Sequence, residues 1–175
     1  MLSSAFRGEF NGLDLRGESF APEHIDGVLE LEKICFPAPW SRALLAREAE
    51  GQEHTWNTVF FVDGELRAFV FNWLVADEIH LLNFALHPDL HGRGLANRLM
   101  EWMLDKVREA GYRCVHLEVR ESNLAAIRLY ERQGFVTLYR RRGYYTDNKE
   151  DAIVMINLFG SASILENLER PEDGD

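Results

Sequence analysis

The stretch Leu81–Met100, LLNFALHPDLHGRGLANRLM, decides the fold. An apolar run with strand character ends at His87-Pro88. A short loop carrying Gly92 and Gly94 follows, and a helix begins at Leu95. Leu95, Leu99, Met103 and Val107 recur at helical spacing, and Gly111 supplies a C-terminal stop. A strand that runs through a glycine turn into a helix leaves unpaired backbone N–H groups and the positive end of the helix dipole at the turn. Glycine lets the backbone come close to an anion, and Arg93 and Arg98 add positive charge. The turn is therefore either a pyrophosphate cradle or a tight β–α connection in which glycine serves only geometry.

Upstream of this stretch the pattern reads as strands. Trp56–Val62, Leu66–Val75 and Ile79–Leu86 are separated by Asp63-Gly64 and Asp77-Glu78, which predicts an antiparallel meander. Before them, Pro22 opens a helix with Ile25, Val28, Leu29, Glu32 and Cys35 at helical spacing. Phe36–Ser41 breaks it, and Ser41 caps a second short helix to about Glu50. Downstream, Cys114–Val119 reads as a buried parallel strand, Asn123–Gln133 as a helix, and Val136–Arg142 and Ala152–Phe159 as two further strands. The expected architecture is α/β: a mixed, mostly antiparallel twisted sheet around a strand–helix–strand core whose crossovers are parallel and right-handed. The expected organisation is an N-terminal arm or edge strand over 1–20, a single domain over 21–159, and an acidic tail over 160–175.

Composition narrows the function classes. The chain has 175 residues, 46% apolar and 27% charged, enough to bury a core without disulfides. Its 19 basic residues against 29 acidic ones give a net charge of −10. That argues against broad nucleic-acid binding, which needs a basic footprint, and leaves a cationic peptide or polyamine as a suitable partner. The longest run without charge, Ala152–Leu165, has 14 residues, short of the roughly 20 that cross a bilayer. With no secretory pattern at the N-terminus and only Cys35 and Cys114 as thiols, a cytoplasmic protein, monomeric or weakly oligomeric, is expected. Both cysteines read as small hydrophobes, not acyl carriers.

Two cofactor readings compete for the glycine turn. A dinucleotide site wants GxGxxG and a later acid. Gly92, Gly94 and Asn97 give GxGxxN, with Glu118 as the acid. The missing third small residue and the meander in front count against it, and no GxxxxGK[ST] is present. Acyl-coenzyme A is the other reading. Glu118 sits between Leu117 and Val119, where a carboxylate must be solvated, paired or functional. Desolvation there would raise its pKa toward that of a useful base. A partner such as Arg120 or Arg128 is its structural alternative. Tyr130 shares a helix face with Ile127 and reads as a core tyrosine or a proton donor. Asn123 reads as the N-cap of that helix.

His91-Gly92-Arg93-Gly94-Leu95-Ala96 resembles the coenzyme A pyrophosphate motif Q/R-x-x-G-x-G/A of the GCN5-related N-acetyltransferases (GNAT). His91 stands where Gln or Arg is usual, so a weaker but retained phosphate contact is expected. The stretch Leu81–Ile156 is similar to the RimI-type branch, alanine N-acetyltransferases that act on a small-subunit ribosomal protein. The segments that carry this are FALHPD (Phe84–Asp89), LEVRESN (Leu117–Asn123), AIRLYE (Ala126–Glu131), Gly134-Phe135, Arg141–Tyr145 with Glu150–Ile153, and Pro39-Trp40-Ser41. The first 20 residues and everything after about Leu158 fall outside the resemblance.

The resemblance implies the GNAT fold and acetyl-CoA as cosubstrate. It implies Glu118 as general base toward an α-ammonium and Tyr130 as general acid toward the departing thiolate. Phe84, Ala85 and Leu86 would hold the acetyl and pantetheine end. Gly92, Arg93, Gly94, Leu95, Ala96 and Asn97 would hold the pyrophosphate, and Asn123 would contact coenzyme A. By analogy Trp40, Tyr144 and Tyr145 wall the acceptor groove, with Asp147, Glu150 and Asp151 as charge partners for a basic peptide. The implied partner is the N-terminus, beginning with Ala, of a small-subunit ribosomal protein, with no direct nucleic acid and no membrane. The alternatives are a lysine side chain, polyamine or small amine as acceptor, or a non-catalytic acyl-CoA-binding module. No metal is expected. The chemistry needs none, and Pro88 spoils the four-residue spacing of His87 and His91.

Overall fold

Two adjacent residues with left-handed backbone make each of two tight hairpins. Asn11 and Gly12 have φ of 50° and 78°, and Asp63 and Gly64 have φ of 50° and 84°. That pairing matches the right-handed twist of the flanking strands. The first turn joins β1 (Phe6–Phe10) to β2 (Leu13–Ser19), and the second joins β3 (Thr58–Val62) to β4 (Glu65–Val75). Residues 6–19 are thus a paired hairpin, not a loose arm or one strand. Its weak periodicity arises because β1 is mostly solvent-facing. The structure, a computed structural model, describes residues 2–159. The expected acidic tail over 160–175 lies outside them.

The helices form where caps and apolar spacing agree. α1 (Ile25–Cys35) follows a short turn opened by Pro22. α2 (Arg42–Ala49) begins at Ser41, whose Oγ accepts the Leu44 N–H at 3.2 Å. β5 (Glu78–Leu86) leads through the glycine turn into α3 (Leu95–Glu109). β6 (Cys114–Arg120) leads to α4 (Leu124–Arg132), capped by Asn123 Oδ1 at 3.2 Å from Ala126 N. β7 (Val136–Arg141) and β8 (Ala152–Leu158) complete the chain. No helix among the described residues is long and apolar enough to cross a membrane.

The strands form one sheet in the order β1-β2-β3-β4-β5-β6-β8-β7, antiparallel everywhere except β5 against β6. The first crossover therefore pairs as expected. The second does not, because β8 inserts between β6 and β7. Burial explains the swap. β8 buries Ala152, Val154, Met155 and Asn157, whereas every residue of β7 is exposed, so the exposed strand takes the edge. One sheet face packs on α3 and α4 through Leu81, Leu95, Leu99, Met103, Val107, Val115 and Leu117. The other packs on α1 and α2 through Val28, Leu31, Leu45, Val59, Phe69 and Phe71.

One feature of the ladder makes the site. β5 and β6 pair only over Glu78–Leu81 and Cys114–Leu117. Beyond that, β5 runs on to Leu86 and β6 to Arg120 unpaired to each other. A bulge in β5 at Leu82, opposite Phe71 and Asn72 of β4, lies where β5 begins to diverge.

Candidate active site

The split between the two strands is the apex of a cleft of about 800 Å³. Its walls are Leu82–Leu86 of β5, Glu118–Arg120 of β6, the loop after α1 and the start of α3. That volume suits a drug-sized or cofactor-sized ligand. Phe84, Ala85 and Leu86 all lie in the wall, on the part of β5 that lacks a β6 partner. Backbone groups on their β6 side are free to meet a ligand, except the Leu86 carbonyl, which His91 and Cys35 occupy.

At the far end sits the glycine turn. Gly92 and Gly94 have φ of 73° and 80°, a conformation that a side chain resists, and Gly94 is the N-cap of α3. The first helical bond there runs from Arg98 N to Gly94 O at 3.2 Å. This leaves the N–H groups of Leu95, Ala96 and Asn97 without helical partners. His91, Gly92, Gly94, Leu95, Ala96, Asn97 and Asn123 all line the cleft.

Arg93 does not. It is exposed, and its carbonyl accepts from Asn11. Arg98 pairs with Glu101 on the outer side of the helix. The cation that reaches this end is Arg132 of α4, with Nε 3.4 Å from Asn97 Oδ1. No local sequence signal marks Arg132, because its place depends on how α4 packs beside α3.

His91 is a brace. Its Nε2 donates to the Leu86 carbonyl at 2.9 Å, so a neutral ring has no second N–H for a phosphate. Its role is to tie the turn to the end of β5. His91→Ala should lose one hydrogen bond, about 0.5–1.5 kcal/mol, and raise KM for acetyl-CoA about 2–10-fold at nearly constant kcat. Steady-state kinetics with the acyl donor varied measures this, and an unchanged KM would remove the brace from cofactor binding.

Glu118 and Tyr130 both line this cleft. Glu118 is not the desolvated carboxylate expected from its apolar neighbours. Strand alternation turns it to the open face, where its Oε1 accepts from Arg141 Nη1 at 2.8 Å. The pairing alternative was right in kind, but the partner is Arg141 of β7, not Arg120 or Arg128. Arg141 also lies over the Tyr144 ring, 4.6 Å from its centroid. Tyr130 is buried against Phe135, with ring centroids 5.6 Å apart. Its hydroxyl makes no hydrogen bond among the described residues. Burial, with a smaller contribution from Tyr145, pushes its pKa above the ordinary phenol range, so it stays protonated at neutral pH.

On the acceptor side, Trp40 and Tyr145 line the cleft, whereas Tyr144 stands outside it, exposed and edge-on to Tyr145. Adjacent residues of the loop face opposite ways, and only one can turn inward. Tyr145 lies under the Arg120 guanidinium at 3.9 Å, and burial pushes its phenol up to about 12. The three acids expected to meet a basic peptide already have partners. Asp147 and Glu150 hold Arg120 at 2.9 and 3.1 Å. Asp151 accepts from Gly143 N at 2.8 Å and faces Arg140. Hydrogen bonds from Ser122, Asn148 and Arg120 hold the Glu150 carboxyl down to about 2.

Glu32 was legible only as a helix-spaced residue. It is fully buried, accepts from Trp40 N at 3.0 Å and Asn83 Nδ2 at 2.5 Å, and so ties α1, the Trp40 loop and β5 together. Burial raises its pKa. Cys35 at the cleft edge donates to the Leu86 carbonyl at 3.6 Å. Burial and Glu32 push its thiol up to about 11, which makes it a poor nucleophile at neutral pH.

Residues 25–135 match the acetyltransferase (GNAT) family. The [ribosomal protein bS18]-alanine N-acetyltransferase of Escherichia coli K12 is 39% identical over 133 residues, 75% of this chain and 88% of that protein. A putative enzyme of the same description from Bacillus subtilis 168 is 34% identical over 76% of this chain and 88% of its own length. The crystal structure of the Escherichia coli ribosomal-protein-S18-alanine N-acetyltransferase covers 92% of this chain and 99% of that one, with TM-score 0.77 and 32% identity.

Proposed function

The chain belongs to the acetyltransferase (GNAT) family, and from that premise we propose that it acetylates the N-terminal α-amino group, on alanine, of ribosomal protein bS18, with acetyl-CoA as donor. Acetyl-CoA brings an activated thioester whose thiol can leave. The cleft has room for it, and the turn at Gly92 and Gly94 offers the free N–H groups that its pyrophosphate needs. Leu95, Ala96 and Asn97 hold that anion, with Arg132 beside them and Asn123 in the same wall. The unpaired backbone of Phe84, Ala85 and Leu86 holds the acyl end and meets charge that develops on the carbonyl oxygen.

The observation that carries the reading is that Glu118, Tyr130 and the glycine turn share one cleft. Glu118 takes a proton from the acceptor ammonium, which displaces the Arg141 guanidinium from the carboxylate. An α-amine with pKa near 7.7–8.0 needs only a modest base. The freed amine forms the C–N bond as the C–S bond breaks, Tyr130 gives its proton to the sulfur, and the second proton shed by the nitrogen as it becomes an amide returns to the phenolate through solvent. Glu32 positions the Trp40 loop that faces this point.

A free-thiol release assay with a peptide copying the alanine-starting N-terminus of bS18 tests the proposal, with mass spectrometry of the product. The expected product carries one acetyl group on the α-amine. A label on a lysine ε-amine with the N-terminus untouched would overturn the acceptor.

A further inference from the structure

Just below the fork, the paired ends of β5 and β6 carry a second group of reactive side chains. Glu78 stands opposite Cys114, and His80 stands opposite His116. Opposed residues share a sheet face, as do residues two apart on one strand. The four positions therefore form a two-by-two patch. Neither histidine nor Glu78 is among the residues that line the cleft.

The geometry in this patch is unusual for a surface. One donor atom each from Glu78, His80 and His116 lies within 4.8 Å of the others. The two imidazole rings stand 3.8 Å apart by their centroids. His116 Nε2 is 3.2 Å from Glu78 Oε2, yet this nitrogen is buried and makes no hydrogen bond among the described residues. A buried ring nitrogen without a hydrogen bond wants a partner.

A metal ion would supply it. Ligands at about 2.0–2.1 Å from a tetrahedral ion stand about 3.3 Å from each other. The His116–Glu78 separation already has that length, and small side-chain rotations bring His80 to it. Imidazole and carboxylate together suit zinc and its neighbours and not magnesium or calcium.

We propose that Glu78, His80 and His116 form a site for a divalent transition-metal ion of the zinc class, with water completing the shell. The ion would link β5 to β6 one residue before their pairing ends at Leu81 and Leu117. It would act as a structural clamp at the apex of the fork. It takes no part in the acyl transfer above, and the site stands on strand register whether or not that reading holds. The metal-free expectation from the sequence considered His87 and His91. Those two are engaged by the loop backbone, at Asp89 N and the Leu86 carbonyl.

The test is calorimetric titration of the full, chelator-treated chain with zinc chloride. The expected result is one saturable site per chain, with a rise in Tm on zinc addition. His80→Asn with His116→Gln should weaken binding by more than about 10–100-fold, the loss that lesser outer-shell changes already cause. Cobalt(II) should give the visible absorption of a tetrahedral site in the wild type and not in the double variant. Should the double variant fail to fold by circular dichroism, Glu78→Gln at the start of β5 is read in its place. No saturable binding at micromolar zinc, or equal binding by wild type and ligand variants, overturns the site.

Discussion

Glu118→Gln is expected to lower kcat at pH 7 by about 10²–10⁴, with the acetyl-CoA dissociation constant little changed. The substitution keeps the side chain's shape and leaves an amide oxygen to accept from Arg141, so the lip of the cleft should hold. What it removes is the proposed acceptor of the ammonium proton. The deficit should therefore depend on pH in a definite direction. An α-amine frees itself as pH rises past its pKa of about 7.7–8.0, so the gap between variant and wild type narrows above that range. Thiol release measured from acid to alkaline pH, beside equilibrium binding of acetyl-CoA, separates the two quantities. A wild-type kcat in the variant would reduce Glu118 to an ion-pair partner of Arg141.

Tyr130→Phe is expected to cost about 10²–10⁴ in kcat through loss of the proton donor to sulfur. The phenol makes no hydrogen bond among the described residues, so removing its oxygen orphans no partner there, and stability should change by less than about 1 kcal/mol. The burial that raises its pKa also sets the pH profile. A raised pKa keeps the acid form present through neutrality, and its loss begins only above the ordinary phenol value of about 10. Wild-type kcat should thus show no fall from this group below that pH. An acyl donor with a more acidic thiol needs less help to leave and should recover part of the variant's rate. Full activity in Tyr130→Phe, or an equal deficit with every leaving thiol, would remove the residue from proton transfer.

The site divides by how far its signals travel. The glycine turn, the caps at Ser41 and Asn123 and the Asp63-Gly64 hairpin were legible because each works through dihedral angles and hydrogen bonds a few residues away. The first hairpin was missed although Asn11-Gly12 carries the same signal, since β1 has too little buried face to show a period. Glu118 was found as a residue and misread in environment. Strand alternation sets it opposite in facing to Leu117 and Val119, but whether that face is open or desolvated depends on what packs there. Its partner Arg141 comes from a strand that reaches it only because β8 lies between β6 and β7.

Arg93 and Arg132 show the same division. The first is adjacent in sequence and faces solvent, while the second is remote and faces the cleft. Tyr144 and Tyr145 differ by one position and by which side of a loop they occupy. Glu32 became significant only when Trp40 and Asn83 closed on it.

Residue order alone located the helices, the strands from Thr58 onward, the glycine turn and the two candidates for proton transfer, because periodicity, capping and turn chemistry act locally. The place of β8, the fork between β5 and β6, the ion pair on Glu118 and the histidine patch below the fork came from folding. Each depends on which strand lies beside which, a choice made by the burial of whole strands and not by any short run of residues.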